Sequence, residues 1–426
     1  MSIQSTDKKF HVIIAGGGPV GLTAAHALYR AKISFTMLEM RHHPVVDAGS
    51  NLVINSVGLR ALGQLGLLDE LYNVSSELRS VHRMNHKGKD LGSIDWFRME
   101  MENFGTWPRV LSRHDLSKTL YDALPESLKA NVICNKKVSN VESTKSGVLV
   151  HCSDGSIYDG DIVIGADGAH SATRRSMRNL ALEHEPSAVN DDQPFDVKFR
   201  CLWLRFPSTA TSLVSTGTSV ECHGVGAATQ LFAGEESAVV GIYERLSSPT
   251  KQRMHYTRED EEAFVTQWGH LPAGLISLEE GVLKHWYWNS RIVLVGDAAH
   301  KFTPSTGSGC NFGIVDVVTL ANELNSLPVF SSEFDINTAF QRYQEARQEM
   351  TAQQCNESGS MTDMATWGSW FAKFMDIWVL YYGFAQSWLE GQDAQKTATT
   401  PVFDYIYDKE RLVGRQPWAN AVPTKL

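Results

Sequence analysis

One stretch near the start of the chain constrains the fold more than any other. Residues 10–15 (Phe-His-Val-Ile-Ile-Ala) are a short β-branched run closed by glycines, the pattern of a buried parallel strand. Residues 19–31 carry Leu22, Ala25 and Leu28 at helical spacing, and 34–39 form a second strand. Strand, helix and strand within about 30 residues is the size of a βαβ unit. The turn after the first strand reads Gly16-Gly17-Gly18-Pro19-Val20-Gly21. Gly16 permits the tight turn, Gly18 lets a pyrophosphate approach the backbone, and Gly21 lets the helix pack close to the sheet. The helix N-terminus then presents N–H groups and a partial positive charge to phosphates. Glu39 ends the second strand, 18 residues beyond Gly21, where a carboxylate suits the ribose hydroxyls of an adenine dinucleotide. Arg41 is read either as a neighbour of the adenine or its ribose, or as a plain surface arginine.

Two further motifs repeat the strand-to-glycine-to-helix pattern. Residues 161–166 form a buried strand that ends at Asp167-Gly168 and leads into Ala169-His170-Ser171-Ala172-Thr173-Arg174. Alone, this is a β-turn-helix junction with Ser171 as N-cap. Residues 291–296 form a third buried strand, followed by Gly296-Asp297-Ala298-Ala299-His300, Pro304, Gly307-Ser308-Gly309-Cys310-Asn311-Phe312-Gly313 and Asp316. Asp297 at the strand end suits a ribityl or ribose hydroxyl. Donors from Cys310 and Asn311, backed by a helix dipole from about Gly309 to Leu324, suit a ring that becomes anionic on reduction. Pro304 would close one side of that ring. His300 is read as a hydrogen-bonded structural histidine rather than a general base.

The intervening chain has another character. Residues 56–72 and 113–124 read as helices, and 130–165 alternates like strands turned at Gly147 and Asp154-Gly155. Residues 187–280 hold longer alternating runs, 195–206 and 230–246, with a turn at Gly234-Glu235-Glu236, which indicates a mostly antiparallel sheet. Residues 335–426 read as mostly helical with a less ordered tail. A net charge of −9 argues against nucleic acid as the main partner. The six cysteines are scattered without metal or CxxC spacing, so free thiols in a reducing compartment, and a cytoplasmic location, are expected. The polar start, MSIQSTDKKF, shows no signal peptide. The one membrane-like stretch, 367–389, is interrupted by Lys373 and Asp376. Its apolar runs are too short for the roughly 20 residues of a span. A buried aromatic helix is the simpler reading, with peripheral membrane contact or the lining of a substrate path as the alternative.

Taken together, in this order and spacing, the three motifs resemble those of the group A flavoprotein monooxygenases, the family of p-hydroxybenzoate hydroxylase. The resemblance covers roughly residues 10–325. Within the family the chain is similar to a fungal secondary-metabolite branch that includes paxilline-type epoxidases. That similarity rests on Glu39, Asp47-Ala48-Gly49-Ser50, Arg113-His114-Asp115-Leu116, His300-Lys301-Phe302-Thr303-Pro304 and Gly414-Arg415-Gln416-Pro417-Trp418. The resemblance implies an α/β fold: a Rossmann-like FAD-binding lobe, a mostly antiparallel β-sheet substrate lobe and a helical C-terminal region. The lobes divide as 1–80, 108–186 and 281–330 for FAD, 81–107 and 187–280 for substrate, and 331–426 for the helical region. Gly16, Gly18, Gly21 and Glu39 would hold the ADP half of FAD, and Arg113 would reach the ribityl–phosphate region. Asp167 and Gly168 belong to the motif shared by FAD pyrophosphate and NAD(P)H binding. Asp297, Pro304, Gly309, Cys310 and Asn311 would hold the ribityl chain and ring. Val53 stands where the branch usually has a glycine, which keeps backbone contact to the flavin but alters the space above the ring.

The activity implied is that of a monooxygenase. NADPH or NADH reduces FAD, O2 adds to give a flavin C4a-hydroperoxide, and an apolar small molecule is hydroxylated or epoxidised. The flavin carries that chemistry and the protein supplies position and field. Arg200, Tyr243 and Asp47 are the candidate substrate anchors or proton donors, each with a surface ion pair or solvent-facing position as its alternative. A flavin oxidase or dehydrogenase, or oxidation followed by skeletal rearrangement, stays open.

Overall fold

The structure is a computed structural model that describes residues 10–46, 51–208, 215–235, 237–252, 254–268, 274–328 and 331–425. The run His11–Ala15 pairs in parallel with Ser34–Leu38 on one side and Ile162–Gly165 on the other. Ile292–Leu294 adds in parallel beyond Ile162–Gly165, and Val132–Ile133 and Tyr287–Trp288 complete a six-stranded sheet. Three glycine-ended strands from distant parts of the chain therefore lie side by side. Both faces of this sheet are covered, which is why its central strands read as unbroken apolar runs. Helices Pro19–Arg30 and Ser308–Ser326 pack against each other over it.

Between these strands, Val138–Ser143, Val148–Cys152 and Ile157–Gly160 form an antiparallel meander. The single helix expected over 56–72 is two helices, Ser56–Gln64 and Leu68–Asn73. Gly66 lies between them at φ 87°, a left-handed value that ends a helix.

The second large sheet has eight strands, in the order His300–Lys301, Gly274–Val282, Asp196–Pro207, Ser237–Thr250, Ala227–Ala233, Thr218–Gly224, Ser80–Asn85 and Asp90–Ile94. All its pairings are antiparallel except that of Thr218–Gly224 with Ser80–Asn85. The alternating run 230–246 resolves into two of these strands, turned at Gly234 and Glu235. Register sorts the side chains by parity. Val81, Arg83, Glu221, His223, Gln230, Tyr243 and Cys201 fall on one face. Leu202, Leu204, Ile242 and Leu275 fall on the other, packed on Phe264 of the helix Arg258–Trp268.

The helix Glu333–Ala365, begun by a capping box between Ser332 and Asp335, links the two sheets. Its 33 residues span about 50 Å at about 1.5 Å per residue. Arg347 on this helix donates through Nε to Asp316 Oδ1 at 2.9 Å. Asp316 Oδ2 accepts from the Gly296 N–H at 2.9 Å and bonds His300 Nε2 at 2.6 Å. His300 and Arg347 both converge on this carboxylate, which has no solvent exposure. Burial opposes the Asp316 charge, but His300, Arg347 and the Gly296 N–H outweigh it and hold its pKa below the ordinary value. His300 thus has the structural position expected of it.

The tail 399–425 has little regular structure but is pinned rather than loose. Gln64 exchanges hydrogen bonds with the Phe403 backbone, and Arg60 lies 4.0 Å over the Trp418 ring. A Cβ at Gly414 would meet Asn103 O at 2.3 Å, so only glycine fits that crossing.

Asp316→Ala leaves His300 and Arg347 buried without their shared acceptor. Its expected cost is about 3–5 kcal/mol of unfolding free energy, the range for breaking a buried ion pair. Urea unfolding with an unchanged m-value measures it; a loss below about 1 kcal/mol would show the hub to be dispensable.

Candidate active site

The first glycine turn has the shape a pyrophosphate needs. Gly16 sits at φ 103°, and a Cβ there would meet Ala166 O at 2.5 Å. At Gly21 a Cβ would lie 2.0 Å from Gly16 O. At Gly18 it would face only the Arg113 guanidinium, 3.2 Å away, so a cation overlooks the cradle from the start of the helix Arg113–Asp122. Gly18 caps the helix Pro19–Arg30 with no side-chain hydrogen bond, which leaves the helix N-terminus to a ligand. Glu39 is buried beside it. Its Oε2 accepts from the Gly17 N–H at 2.7 Å and its Oε1 from the Arg41 N–H at 2.8 Å. Those two bonds fix the carboxylate and leave acceptor sites for ribose hydroxyls. Arg41 enters this geometry through its backbone.

At the second motif Asp167 is a capping residue. Its Oδ2 accepts from the Thr173 N–H at 3.0 Å and Oγ1 at 3.1 Å, and its Oδ1 accepts from Ser171. Gly168, at φ 73°, has open space where a Cβ would stand. Arg174 from this motif donates to Ala298 O at 3.0 Å, tying the second glycine turn to the third.

The third motif faces the first two. Asp297 is solvent-exposed, and its Oδ1 lies 3.9 Å from the Cβ position of Gly309. Gly307, at φ 64°, starts the helix Ser308–Ser326 with no side-chain cap, so the backbone of 308–311 carries the donors. The Asn311 side chain is already committed. Its Nδ2 donates to Val53 O at 2.8 Å and Gly307 O at 2.9 Å, and its Oδ1 accepts from Asn55 N–H at 3.2 Å. Asn311 therefore staples the strand Asn51–Ile54 to the loop and offers a ligand only its main chain. The Val53 side chain presses toward Gly307, whose Cβ position is 3.1 Å away. Burial pushes the Cys310 thiol up to about 12, so it stays protonated and is no nucleophile. Pro304 opens the short turn Pro304–Thr306, which the long helix holds by hydroxyl pairs: Thr306 with Ser358 and Ser305 with Thr362, each at 2.5 Å.

Between this loop, the eight-stranded sheet and the C-terminal helices lies a cavity of about 580 Å³. Val53, Gly307 and Phe312 line it on the loop side, and Phe232 and Tyr243 on the sheet side. Tyr243 is almost fully buried and donates its O–H to Gln230 Oε1 at 3.1 Å. Burial, then the neighbouring Cys201 and Glu221, raise its pKa, so it remains a phenol. Arg200 is one residue out of step. It lies on the opposite face, bonded through Nε to Glu244 at 2.5 Å and 5.1 Å over Phe264, so its candidacy as an anchor in the cavity is corrected by strand parity. Asp47, with the rest of its turn, lies outside the described residues.

Sequence reading missed a buried polar file along the sheet wall. Gln230 Nε2 donates to Glu221 Oε1 at 2.8 Å, and Glu221 Oε2 is 3.2 Å from His223 Nε2. His223 Nδ1 lies 3.0 Å from Asp376, and Arg83 Nη1 donates to Asp376 Oδ1 at 2.7 Å. Burial works against a charge on His223, but the bonds and charges of Asp376 and Glu221 outweigh it and raise its pKa to about 9. Arg83, Glu221 and Gln230 share one register row and look like ordinary polar strand residues until that register is known. Asp376, which had read only as an interruption of an apolar stretch, sits in a π-helical turn, Met375–Val379. The segment around it corrects the expectation of a buried aromatic helix: Trp370, Phe374, Trp378, Tyr382, Phe384 and Trp388 are exposed.

Comparison with known proteins agrees with this geometry. The profile of the family described as FAD binding domain matches residues 9–329. The FAD-dependent monooxygenase prhF of Penicillium brasilianum is 36% identical over 351 residues, covering 76% of this chain and 71% of its own. The FAD-dependent monooxygenase srdH of Neurospora crassa is 30% identical over 454 aligned positions, 97% of this chain and 99% of its own. Among solved structures, Klebsiella pneumoniae HpxO complexed with FAD and uric acid shares the fold at TM-score 0.70 and 18% identity, covering 92% of this chain and 97% of its own. A salicylate hydroxylase substrate complex does so at 0.69 and 17%, covering 93% and 99%. The chain belongs to the FAD-binding-domain family and is an FAD-dependent monooxygenase.

Gly16→Ala forces a left-handed residue to carry a Cβ against Ala166 O, and is expected to weaken FAD binding by about tenfold or more. The ratio of flavin to protein absorbance after dialysis reads this directly. The His223 charge makes a second expectation. Its folded pKa of about 9 lies above the unfolded value near 6.5, so its stabilisation is complete below about pH 6.5 and disappears as pH rises through about 9. The stability difference between wild type and His223→Gln, followed by denaturation across that window, should shrink by up to about 3 kcal/mol. A difference that stays flat with pH contradicts the imidazolium assignment.

Proposed function

We propose that this monooxygenase uses NAD(P)H and O2 to insert one oxygen atom into a largely apolar small molecule, by hydroxylation or epoxidation, in secondary metabolism. The observation that carries the reading is the cavity itself. It places an apolar, aromatic-walled chamber between the loop 307–311 and the inner face of the eight-stranded sheet. Its volume, about 580 Å³, lies within the range of small-molecule pockets. Bound FAD, once reduced, supplies the activation of O2.

The remaining work belongs to the chain's own residues. Gly16, Gly18, Gly21, Glu39 and Arg113 take the ADP half, and Asp297 with the backbone at Gly309, Cys310 and Asn311 takes the ribityl chain and ring edge. Gly168 leaves room at the pyrophosphate turn, and Pro304 closes one side. Burial, before the charge of a neighbouring acid, raises Glu100 to about 7 and Glu390 to about 8, so at neutral pH Glu390 is mostly protonated and Glu100 about half so. Protonation of these two acids lowers the negative charge that a neutral guest would meet. The file Tyr243–Gln230–Glu221–His223 puts polar groups on the sheet side, and it supplies hydrogen bonds to an oxygen function of the substrate. Tyr243, which lines the cavity, is the phenol best placed for this role.

Turnover under heavy-oxygen-labelled O2 tests the proposal. NAD(P)H oxidation stimulated by terpenoid, alkaloid or phenolic compounds should yield a product with one labelled atom. Stoichiometric hydrogen peroxide with unlabelled product would identify an oxidase instead. Tyr243→Phe removes one hydrogen bond, worth about 0.5–1.5 kcal/mol, and should lower kcat/KM by about 2–10-fold with flavin content unchanged. An unaltered kcat/KM would take the phenol out of substrate binding.

A further inference from the structure

Most exposed large apolar residues of this chain are scattered singly, as on any soluble surface. Residues 367–389 are different. Trp370, Phe371, Trp378, Tyr381, Phe384 and Trp388 all point outward there, with Trp370 80% and Phe384 77% exposed. Rings pair in two groups: Trp370 and Phe371 have centroids 6.0 Å apart, and Tyr382 lies 5.7 Å from Tyr381 and 6.0 Å from Phe384. One 23-residue segment thus concentrates exposed aromatic surface, and such concentrations mark interaction surfaces.

The exposure is imposed by the fold. Asp376, in the middle of the segment, has no exposed side-chain surface. It accepts from Arg83 Nη1 at 2.7 Å and Trp367 Nε1 at 2.8 Å and lies 3.0 Å from His223. Arg83 also donates to the Asp376 and Leu380 carbonyls, at 2.9 and 3.3 Å. The inner side of the segment is thereby clamped onto the substrate sheet. The π-helical turn Met375–Val379 changes the angular register of the side chains that follow. Rings on the outer side have nowhere to fold back.

We propose that this face seats the enzyme on a lipid bilayer surface, with its tryptophan and tyrosine rings at headgroup depth. Three observations choose lipid. The exposed large side chains are Trp, Tyr and Phe, and Trp and Tyr are the residues that favour the membrane–water boundary. The only residues of charged type in 367–389 are Lys373 and Asp376, and Asp376 is buried. So this segment turns a single positive charge outward on a chain of net charge −9, which lowers its repulsion from an anionic leaflet. Lys373 lies with its ammonium 4.6 Å over the Trp367 ring, its stem along the aromatic surface and its head free to reach phosphate. No helix among the described residues is long and apolar enough to cross a membrane, so the contact is interfacial.

The location adds a consequence. Asp376, Leu380, Leu389 and Glu390 of this region also line the cavity. Seating the patch on lipid sets the cavity wall against the phase in which an apolar substrate concentrates. This link rests on the proposed substrate class; the membrane contact does not.

Flotation of the FAD-loaded full chain with phosphatidylcholine vesicles, with and without a minor fraction of phosphatidylserine, tests the proposal without any turnover. Wild type should float with both, and its tryptophan emission should shift to the blue. The combined variant Trp378→Ser, Phe384→Ser, Trp388→Ser removes outward rings that do not line the cavity. It should keep flavin absorbance and Tm while its vesicle partitioning falls by about tenfold or more. Lys373→Glu should weaken binding to phosphatidylserine-containing vesicles more than to phosphatidylcholine alone. Wild type remaining in the lipid-free fractions, or the triple variant floating as well as wild type, would overturn the assignment. So would sedimentation showing a lipid-free dimer that the triple variant dissociates, which would make the patch a subunit contact.

Discussion

The carboxylate of Asp316 is the point on which the two halves of the molecule are registered. It receives the N–H of Gly296 at the end of a strand, His300 at the start of the cavity loop, and Arg347 from the helix Glu333–Ala365. Each of these groups needs an acceptor or a counter-charge once buried, and one carboxylate serves all three. His300 is further held between Trp286 and Phe302, with ring centroids 5.3 and 5.1 Å away. Because Gly296 and His300 bracket Asp297, a shift of Asp316 moves the residue expected to meet the cofactor. The hub connects strand geometry to cofactor geometry with no intervening flexible element.

From that hub the long helix carries position toward the cavity. One helical stretch presents Gln354, Ser358 and Thr362 at spacings of four, which places them on one face. Gln354 donates to Ser308 at 3.0 Å, and the two hydroxyls hold Thr306 and Ser305. A loop rich in glycine would lose much conformational entropy on ordering. Small hydroxyls from a rigid helix offset that by satisfying the loop without filling the space the flavin needs. Asn311 does the same from the other side by stapling Val53 and Asn55. The free donors of the loop are therefore those of its backbone, and the side chains around it are scaffolding.

How legible this was depends on the range of each interaction. The three strand-glycine-helix junctions are local, so their spacing exposes them, and Gly16, Gly21 and Gly307 have the steric reasons their positions imply. The alternation of 195–206 and 230–246 shows strands but not which parity faces the cavity. Arg200 and Tyr243 were equal candidates on sequence, and only the pairing of Cys201 with Tyr243 separates them. The file from Gln230 to Asp376 joins residues up to 293 positions apart, counting Arg83 to Asp376, and no periodicity encodes such a contact. The 367–389 segment misled because an aromatic run normally lies in a core. Here a buried aspartate fixes which side turns inward.

The two ionic centres share a design that explains why charge is buried at all. Each pairs a carboxylate from a helical segment with one arginine and one histidine, Asp316 with Arg347 and His300, Asp376 with Arg83 and His223. Such clusters add little stability over apolar packing, because desolvation cancels most of the attraction. What they add is register. Helix Glu333–Ala365 has few fully buried large side chains along its length, Phe340 and Tyr343 chief among them near its start. Apolar contact of that kind tolerates small slides; a directional, hydrogen-bonded ion pair does not. Asp316 fixes the helix near its first half, and Asp376 fixes the segment that follows its end. The cavity wall between them is consequently positioned from both sides, which fixes the shape of the chamber it lines.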